Sequence, residues 1–435
     1  MATSGGSLNV EEEPAGRISP YHLYLLVSGA TSLFLWLAFS VNLVFQVERV
    51  GLSPLELVLV GTVLEGTYFL FEIPTGVIAD VYSRRLSVIV GTALLGAGLL
   101  VVATPSFAVI LLGNVIMGIG YTLISGALEA WVVDEIGEQR AGHAFLRGSQ
   151  AEQVGMLIAT PIGVGLATMR LNLPIIIGGG LMLALAGLLV VTMTEHGFQR
   201  TPREDRNSWD HMRGTFLDGA RLTRRRPVLL TIFAIAFFMG MSSEGFDRLS
   251  PAHLLQSFAL PAVGDLKPVV WYGILTFTAA LLRIGAAEVL RRLVDTNSHA
   301  AVTRVLLGVD TLLVIAMAGF ALAGSFSVAA IAFVAATVLR GINSPLTSAW
   351  INQSVDPRVR ATVISMSGQA DAIGQVAGGP GIGAIGSTMS LRAALSAATL
   401  ALVPSLLLYT RALQQGEAPV VELEDDAPEE VTASS

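Results

Sequence analysis

Gly76-Val77-Ile78-Ala79-Asp80-Val81-Tyr82-Ser83-Arg84-Arg85 lies between two long apolar runs. One carboxylate closes the first run and two guanidiniums open the second. Such a pattern marks a membrane helix that reaches water, turns and goes back. Gly76 carries no side chain, which predicts close approach by another helix. Asp80 and Arg84 stand four residues apart, so they share one helix face and can pair or be traded to other helices. Gly76, Asp80, Arg84 and Arg85 are therefore singled out as candidates for contacts between helices. The plainer alternative is an ordinary turn with positive-inside arginines.

Composition agrees with a membrane setting. Of 435 residues, 53% are hydrophobic and 14% charged; soluble chains hold about 25% charged residues. The chain has no Cys, which excludes disulfides and Cys-based metal sites. The net charge of −7 is a property of the ends. Glu11–Glu13 and the acids from Glu417 to Glu430 account for it, and the body between them is slightly basic. No basic surface of the kind that binds nucleic acid is present.

Apolar runs long enough to cross a bilayer recur along the chain, each near the required length of about 20 residues. Twelve are read, at 21–47, 53–81, 86–104, 107–133, 145–169, 174–194, 228–250, 269–290, 303–323, 326–350, 362–386 and 391–411. The fifth and eleventh begin among polar residues. In lipid the backbone must bond to itself, so the runs are helices. With the N-terminus inside, nineteen basic residues fall on the cytoplasmic side and five outside. Both termini are thus placed in the cytoplasm.

The connection 195–227 divides the segments six and six. Trp209, Met212, Phe216 and Ala220 recur there at helical spacing among arginines, predicting an amphipathic helix on the membrane face. The alternative is a flexible linker. An internal repeat supports the division. Ala130-Trp131, Gln150-Ala151-Glu152 and Pro161 recur as Ala349-Trp350, Gln369-Ala370-Asp371 and Pro380, always at an offset of 219. The expected fold is an all-α polytopic membrane protein with twelve transmembrane helices in two pseudo-symmetric six-helix bundles. Its parts are a disordered tail (1–20), a first bundle (21–194), the linker (195–227), a second bundle (228–411) and an acidic disordered tail (412–435). Paired repeats of this kind place a central site at the repeat interface.

An ionised side chain at the bilayer centre costs on the order of 2.5–3.5 kcal/mol. The apolar runs nevertheless hold Glu65, Glu72, Glu129, Glu152, Glu244, Asp247, Arg283, Asp310, Arg340 and Asp371. Such residues mark a pathway or proton relay by facing a cavity or a partner. Glu65, Glu72, Glu152, Arg340 and Asp371 are taken as proton-coupling or substrate candidates, with Arg340 as a partner for Asp371. Glu65 and Glu72, seven apart, share one face. Gln150, Asn343 and Gln369 are candidates for polar contacts in a cavity. Glu129, with Asp134 near the cytoplasmic end, is expected to pair with loop arginines, Asp247-Arg248 to lie at the outer rim, and Asp310 to be a structural hydrogen bonder. Pro161, Gly163, Gly379, Pro380 and Gly383 are read as helix-packing positions.

Enzyme chemistry finds no foothold. No phosphate-binding Gly-x-x-x-x-Gly-Lys and no His-Glu-x-x-His occurs, and the six His are scattered. Gly381-Ile382-Gly383-Ala384-Ile385-Gly386 has a dinucleotide-like spacing. It lies in an apolar helix with no strand before it, so helix packing explains it better. No cofactor, metal or catalytic residue is expected.

The chain resembles the major facilitator superfamily along all twelve segments. The family's loop between its second and third helices is matched by Gly76, Asp80, Ser83, Arg84 and Arg85, with Ser83 where Gly is usual; in the family this loop closes the cytoplasmic side, so the resemblance implies a cytoplasmic gate at Gly76, Asp80, Arg84 and Arg85. The copy around Glu288, Arg291 and Arg292 is degenerate. On the fourth helix Asn114 stands where the family's coupling Arg precedes Gly118-Ile119-Gly120. The Gly-Pro-rich helix of drug antiporters is reduced to Gly155, Pro161, Gly163 and Gly165, and is fuller at Gly378-Gly379-Pro380-Gly381. The resemblance implies a monomeric, proton-coupled secondary transporter of the inner (plasma) membrane. It would export a small amphipathic molecule or drug by alternating access, its partners being lipid, protons and the solute. Proton-coupled uptake of a metabolite is the first alternative. A transport-inactive membrane receptor is the second.

Overall fold

The computed structural model describes residues 18–198, 227–261, 266–294, 298–355 and 360–415. The expected amphipathic helix around Trp209 and both tails lie outside these residues. Every regular element described is helical: α1 (Pro20–Val44), α2 (Pro54–Val81), α3 (Arg84–Val102), α4 (Phe107–Ile124), α5 (Ala127–Ile136), α6 (Glu138–Ala167) and α7 (Leu173–Thr192). The second series is α8 (Pro227–Gln256), α9 (Pro268–Leu293), α10 (His299–Ala321), α11 (Phe326–Ser354), α12 (Arg360–Thr388) and α13 (Leu391–Gln415).

Local chemistry sets the boundaries. Prolines open α1, α7 and α9, where a missing N–H leaves no helical bond unmade. Ser83 caps α3 by accepting from the Leu86 N–H at 3.0 Å, and Ser298 caps α10 from Ala301. The fourth expected segment is two helices rather than one. Gly126 adopts φ +75 between α4 and α5, a left-handed conformation that glycine reaches without a Cβ clash. The fifth starts at Glu138, seven residues before the expected edge.

Ten of the described spans are long and apolar enough to cross a membrane. The long helices outside that group are α6 and α12. These are the fifth and eleventh expected segments, and they carry Gln150, Glu152, Gln369 and Asp371.

The chain forms two compact units. The first holds α1, α3 to α7 and the part of α2 from Thr67 onward. The second holds Gly51–Gly66, and with it the start of α2, together with α8 to α13.

In the first unit α6 lies tightly on α1. A Cβ at Gly155 would stand 2.6 Å from the Gly29 carbonyl oxygen, and one at Gly163 2.8 Å from that of Leu37. In the second unit α12 crosses α8 in the same way, with Gly374 against the Phe237 carbonyl. Gly155 and Gly374 obey the 219-residue offset, so the repeat is a repeat of packing. Trp131 and Trp350, repeat partners too, are both fully buried. Trp131 donates to the Thr194 carbonyl at 2.6 Å, whereas the Trp350 ring meets Tyr409 at 5.7 Å.

Gly155→Val and Gly374→Val each force backbone apart at these crossings, at a cost of about 1–3 kcal/mol. Both lower the apparent melting temperature of the detergent-purified protein. Gly165→Val, whose Cβ meets nothing within 4 Å, leaves it unchanged. Equal melting of all three would contradict the tight crossings.

Candidate functional site

A cavity of about 560 Å³ lies in the second unit. That volume suits a small organic molecule. Its wall holds four acids, Glu65, Glu244, Asp247 and Asp371, and two arginines, Arg248 and Arg340.

Four helices bring them together. The start of α2 supplies Glu65. On α8, Glu244, Asp247 and Arg248 follow the i, i+3, i+4 spacing that lines one face. Arg340, Asn343 and Thr347 do the same on α11, and Asp371 and Gln375 on α12. Phe237, Met239 and Met241 surround the crossing with apolar bulk.

Arg340 grips Asp247 with both terminal nitrogens, Nη2 donating to Oδ2 at 2.8 Å and Nη1 to Oδ1. A guanidinium fork fits a carboxylate in this way and a lysine does not. Its cationic carbon also stands 5.6 Å from the centre of the Phe246 ring. One turn of α8 away, Arg248 Nε donates to Glu244 Oε1 at 3.1 Å. That pair is deeply buried, the Glu244 side chain being 4% exposed. At Gly61, α2 lies so close on this pair that any Cβ would overlap both side chains.

Each arginine is therefore taken by its own acid. Asp371 accepts from Gln375 Nε2 at 2.7 Å, and neither it nor Glu65 forms an ion pair among the described residues. Two carboxylates are left over. Behind the wall, Asn343 Nδ2 donates to Asp310 Oδ1 at 2.5 Å while its own Oδ1 accepts from Thr347 at 2.9 Å.

Several expectations change. Arg340 does not pair with Asp371, because Asp247 meets its fork squarely from α8. Asp247 and Arg248, expected at the outer rim, line the cavity. No described atom comes within 4 Å of where a Gly76 Cβ would be, so close approach there is not what the structure shows.

The remaining candidates of the first unit are dispersed. Glu72 and Gln150 are exposed, and Gln150 accepts from Arg147 at 3.1 Å. Glu152 is exposed on α6, and Ser32 donates to its backbone carbonyl at 2.7 Å. Asn114 is buried and bonded to Ile110 of its own helix at 2.8 Å. Gln369 is half-buried on α12. Pro161 and Pro380 lie inside α6 and α12. Gly379 and Gly383 face the start of α2, where Cβ atoms would come 3.0 Å from Val58 and Leu55.

The gate residues tie elements of their own unit together. Arg84 donates to Asp134 and to the Ala130 carbonyl at 3.1 Å, and stands 3.4 Å from Asp80. Of the two acids expected to meet loop arginines, Asp134 does so, and Glu129 forms no ion pair among the described residues. Arg85 donates to the carbonyls of Met193 and Val190 at 2.6 and 2.7 Å, a cation on the bare C-terminus of α7. Glu195 accepts from Ser83 Oγ and the Arg85 N–H, an acid at the N-terminus of α3. Among the described residues no His, Asp and Glu gather so as to hold a metal ion.

Comparison with known proteins follows the same lines. The family model described as Major Facilitator Superfamily matches residues 25–379. An uncharacterized MFS-type transporter of Bacillus subtilis (strain 168), YxaM, is 22% identical over 363 residues, 82% of this chain and 87% of that one. Among solved structures, the nucleoside transporter NupG gives a TM-score of 0.70 at 14% identity, covering 92% of this chain and 99% of that chain. A bacterial homologue of the human lysosomal transporter Spinster, inward-facing and unoccupied, gives 0.69 at 15%, over 91% and 97%. The peptide transporter POT in complex with sulfate gives 0.69 at 14%, over 93% and 96%. At these identities the structures share the fold.

Removing Arg248 strands the buried Glu244. Arg248→Ala is expected to destabilise the protein by about 3–5 kcal/mol, as for other broken buried pairs. The paired change Arg248→Met with Glu244→Gln recovers most of it. Thermal melts of the three variants in detergent check this. A single variant as stable as wild type would mean that the pair is not held as described.

Proposed function

The chain belongs to the major facilitator superfamily and is a multi-pass secondary transporter, not an enzyme, and from that premise we propose proton-coupled export of a small amphipathic cation. The observation that carries this reading is the surplus of acid in the second unit's cavity. Both arginines are engaged, while Glu65 and Asp371 are not. In a site of low polarity two unpaired carboxylates take up protons or a positive solute. Each excludes the other, and such competition is the condition for exchange. Symport requires both on the site together. The remainder of the wall mixes Ile232, Ile235, Met239 and Trp350 with hydroxyl and amide side chains, which suits an amphipathic body.

In this reading the two halves expose the site to each side of the plasma membrane in turn. Both termini lie in the cytoplasm, and one chain suffices. Asp80, Arg84 and Arg85 hold the α2–α3 turn on α5 and α7, so this cytoplasmic end moves as one piece. Glu65, Asp371 and Arg340 form the site proper. Glu72 and Glu152 lie elsewhere, exposed on the first unit.

The sign of the pH dependence follows from competition. Affinity for a cation rises as pH rises and the carboxylates lose their protons. Inside-out vesicles with an acid interior and a pH-sensitive dye test the scheme. A panel of amphipathic cations is added outside, and a substrate discharges the gradient. Asp371→Asn weakens binding of that substrate about tenfold, equivalent to about 1.4 kcal/mol. Discharge that is unchanged in Asp371→Asn and Glu65→Gln would remove this cavity from the reading.

A further inference from the structure

Asp310 is the fully buried carboxylate of α10. It is absent from the cavity wall, yet it touches that wall from behind through Asn343. Its Oδ1 accepts from Asn343. Its Oδ2 is buried and completes no hydrogen bond. The Tyr409 hydroxyl of α13 is equally buried and lies within interaction range of the same carboxyl, though the two do not meet at standard hydrogen-bond geometry.

Among the described residues the surroundings supply no ion pair to Asp310. The helices packed closely against α10 are α11 and α13. From α11 come Asn343 and Thr347, both neutral. Arg340, one turn before Asn343, is taken by Asp247. From α13 comes Tyr409, and Ser405 one turn earlier is bonded to Leu402 of its own helix. Around them Leu306, Val309, Leu346 and Trp350 form an apolar core. A bare carboxylate is not stable in such a place. A neutral carboxylic acid is, because it gains an O–H donor while keeping acceptor capacity. A hydrogen on Oδ2 finds an acceptor in the Tyr409 oxygen; the Tyr409 O–H can serve Oδ2 as well, so it is burial without an ion pair that favours the acid form.

We propose that Asp310 is a buried proton-binding site, with its proton on Oδ2 facing Tyr409 and its other oxygen held by Asn343 at the back of the cavity. Asn343 connects it to the solute. Its Oδ1 is held by Thr347, which also lines the cavity. A solute that turns the Asn343 amide takes away the one hydrogen bond Asp310 has, and so changes its hold on the proton. This coupling role rests on the proton-driven export proposed above, whereas the proton itself does not.

Infrared difference spectra of the full-length protein, taken between neutral and alkaline buffer, test it directly. Wild type shows a protonated-carboxyl C=O band at neutral pH. Asp310→Asn, which keeps the size and the Asn343 bond, loses that band. Tyr409→Phe keeps it at a shifted position. A band indifferent to both changes would overturn the proposal. So would stabilisation of wild type by sodium, but not choline, that disappears in Asp310→Asn, because a metal cation would then occupy the place. In vesicles Asp310→Asn still exchanges a transported cation without a pH gradient but loses its acceleration by one. Retained acceleration would refute the coupling role. If wild type moves no compound of the panel, the export reading fails while the infrared result still decides about the proton.

Discussion

An arginine in the middle of a membrane helix must be held, and the way Arg340 is held governs the second unit. Its fork is filled by Asp247, and its flat face lies near Phe246. Arg248 is filled in turn by Glu244. Once both cations are engaged, the other acids of the same wall have nothing left to neutralise them. The site's character therefore comes less from the charges it contains than from how they are partnered. Four acids and two arginines leave two acids over in any pairing; this pairing decides that they are Glu65 and Asp371.

Much of the fold was legible because lipid permits few alternatives. A run of about 20 apolar residues has to be a helix. The offset of 219 then gave two related halves before any contact was known, and the glycines at 155 and 374 now show why the offset has no gap. A crossing that admits no side chain fixes the register between helices. The break at Gly126 was missed because the segment stays apolar through it, so hydropathy carries no sign of a turn.

The site was less legible, for a physical reason. Spacing tells which residues share a face of one helix, but not how that helix is rotated against another. The spacing of Glu244, Asp247 and Arg248 was visible, and it does put all three on one face. Their position late in the apolar run pointed to the outer end of the helix and gave no sign of a shared cavity. Asp371 was offered Arg340 because helices adjacent in sequence are often adjacent in space. Asp247 takes it from a helix far away in the chain. Symmetry misled in one further way. Glu152 and Asp371 are equivalent in the repeat, but one is exposed and the other lines a charged cavity.

The start of α2 shows how little freedom the arrangement has. Gly61 and Glu65 are one turn apart and share a face. One gives space to the Glu244–Arg248 pair and the other adds an acid beside it. A side chain at 61 would push into the pair. Arg248, displaced from Glu244, would be free to meet Glu65, and the unpaired acid would become the buried Glu244 instead. The missing Cβ is thus an electrostatic feature as much as a packing one. It keeps the cation on the inner acid and leaves the outer acid open to whatever enters the cavity.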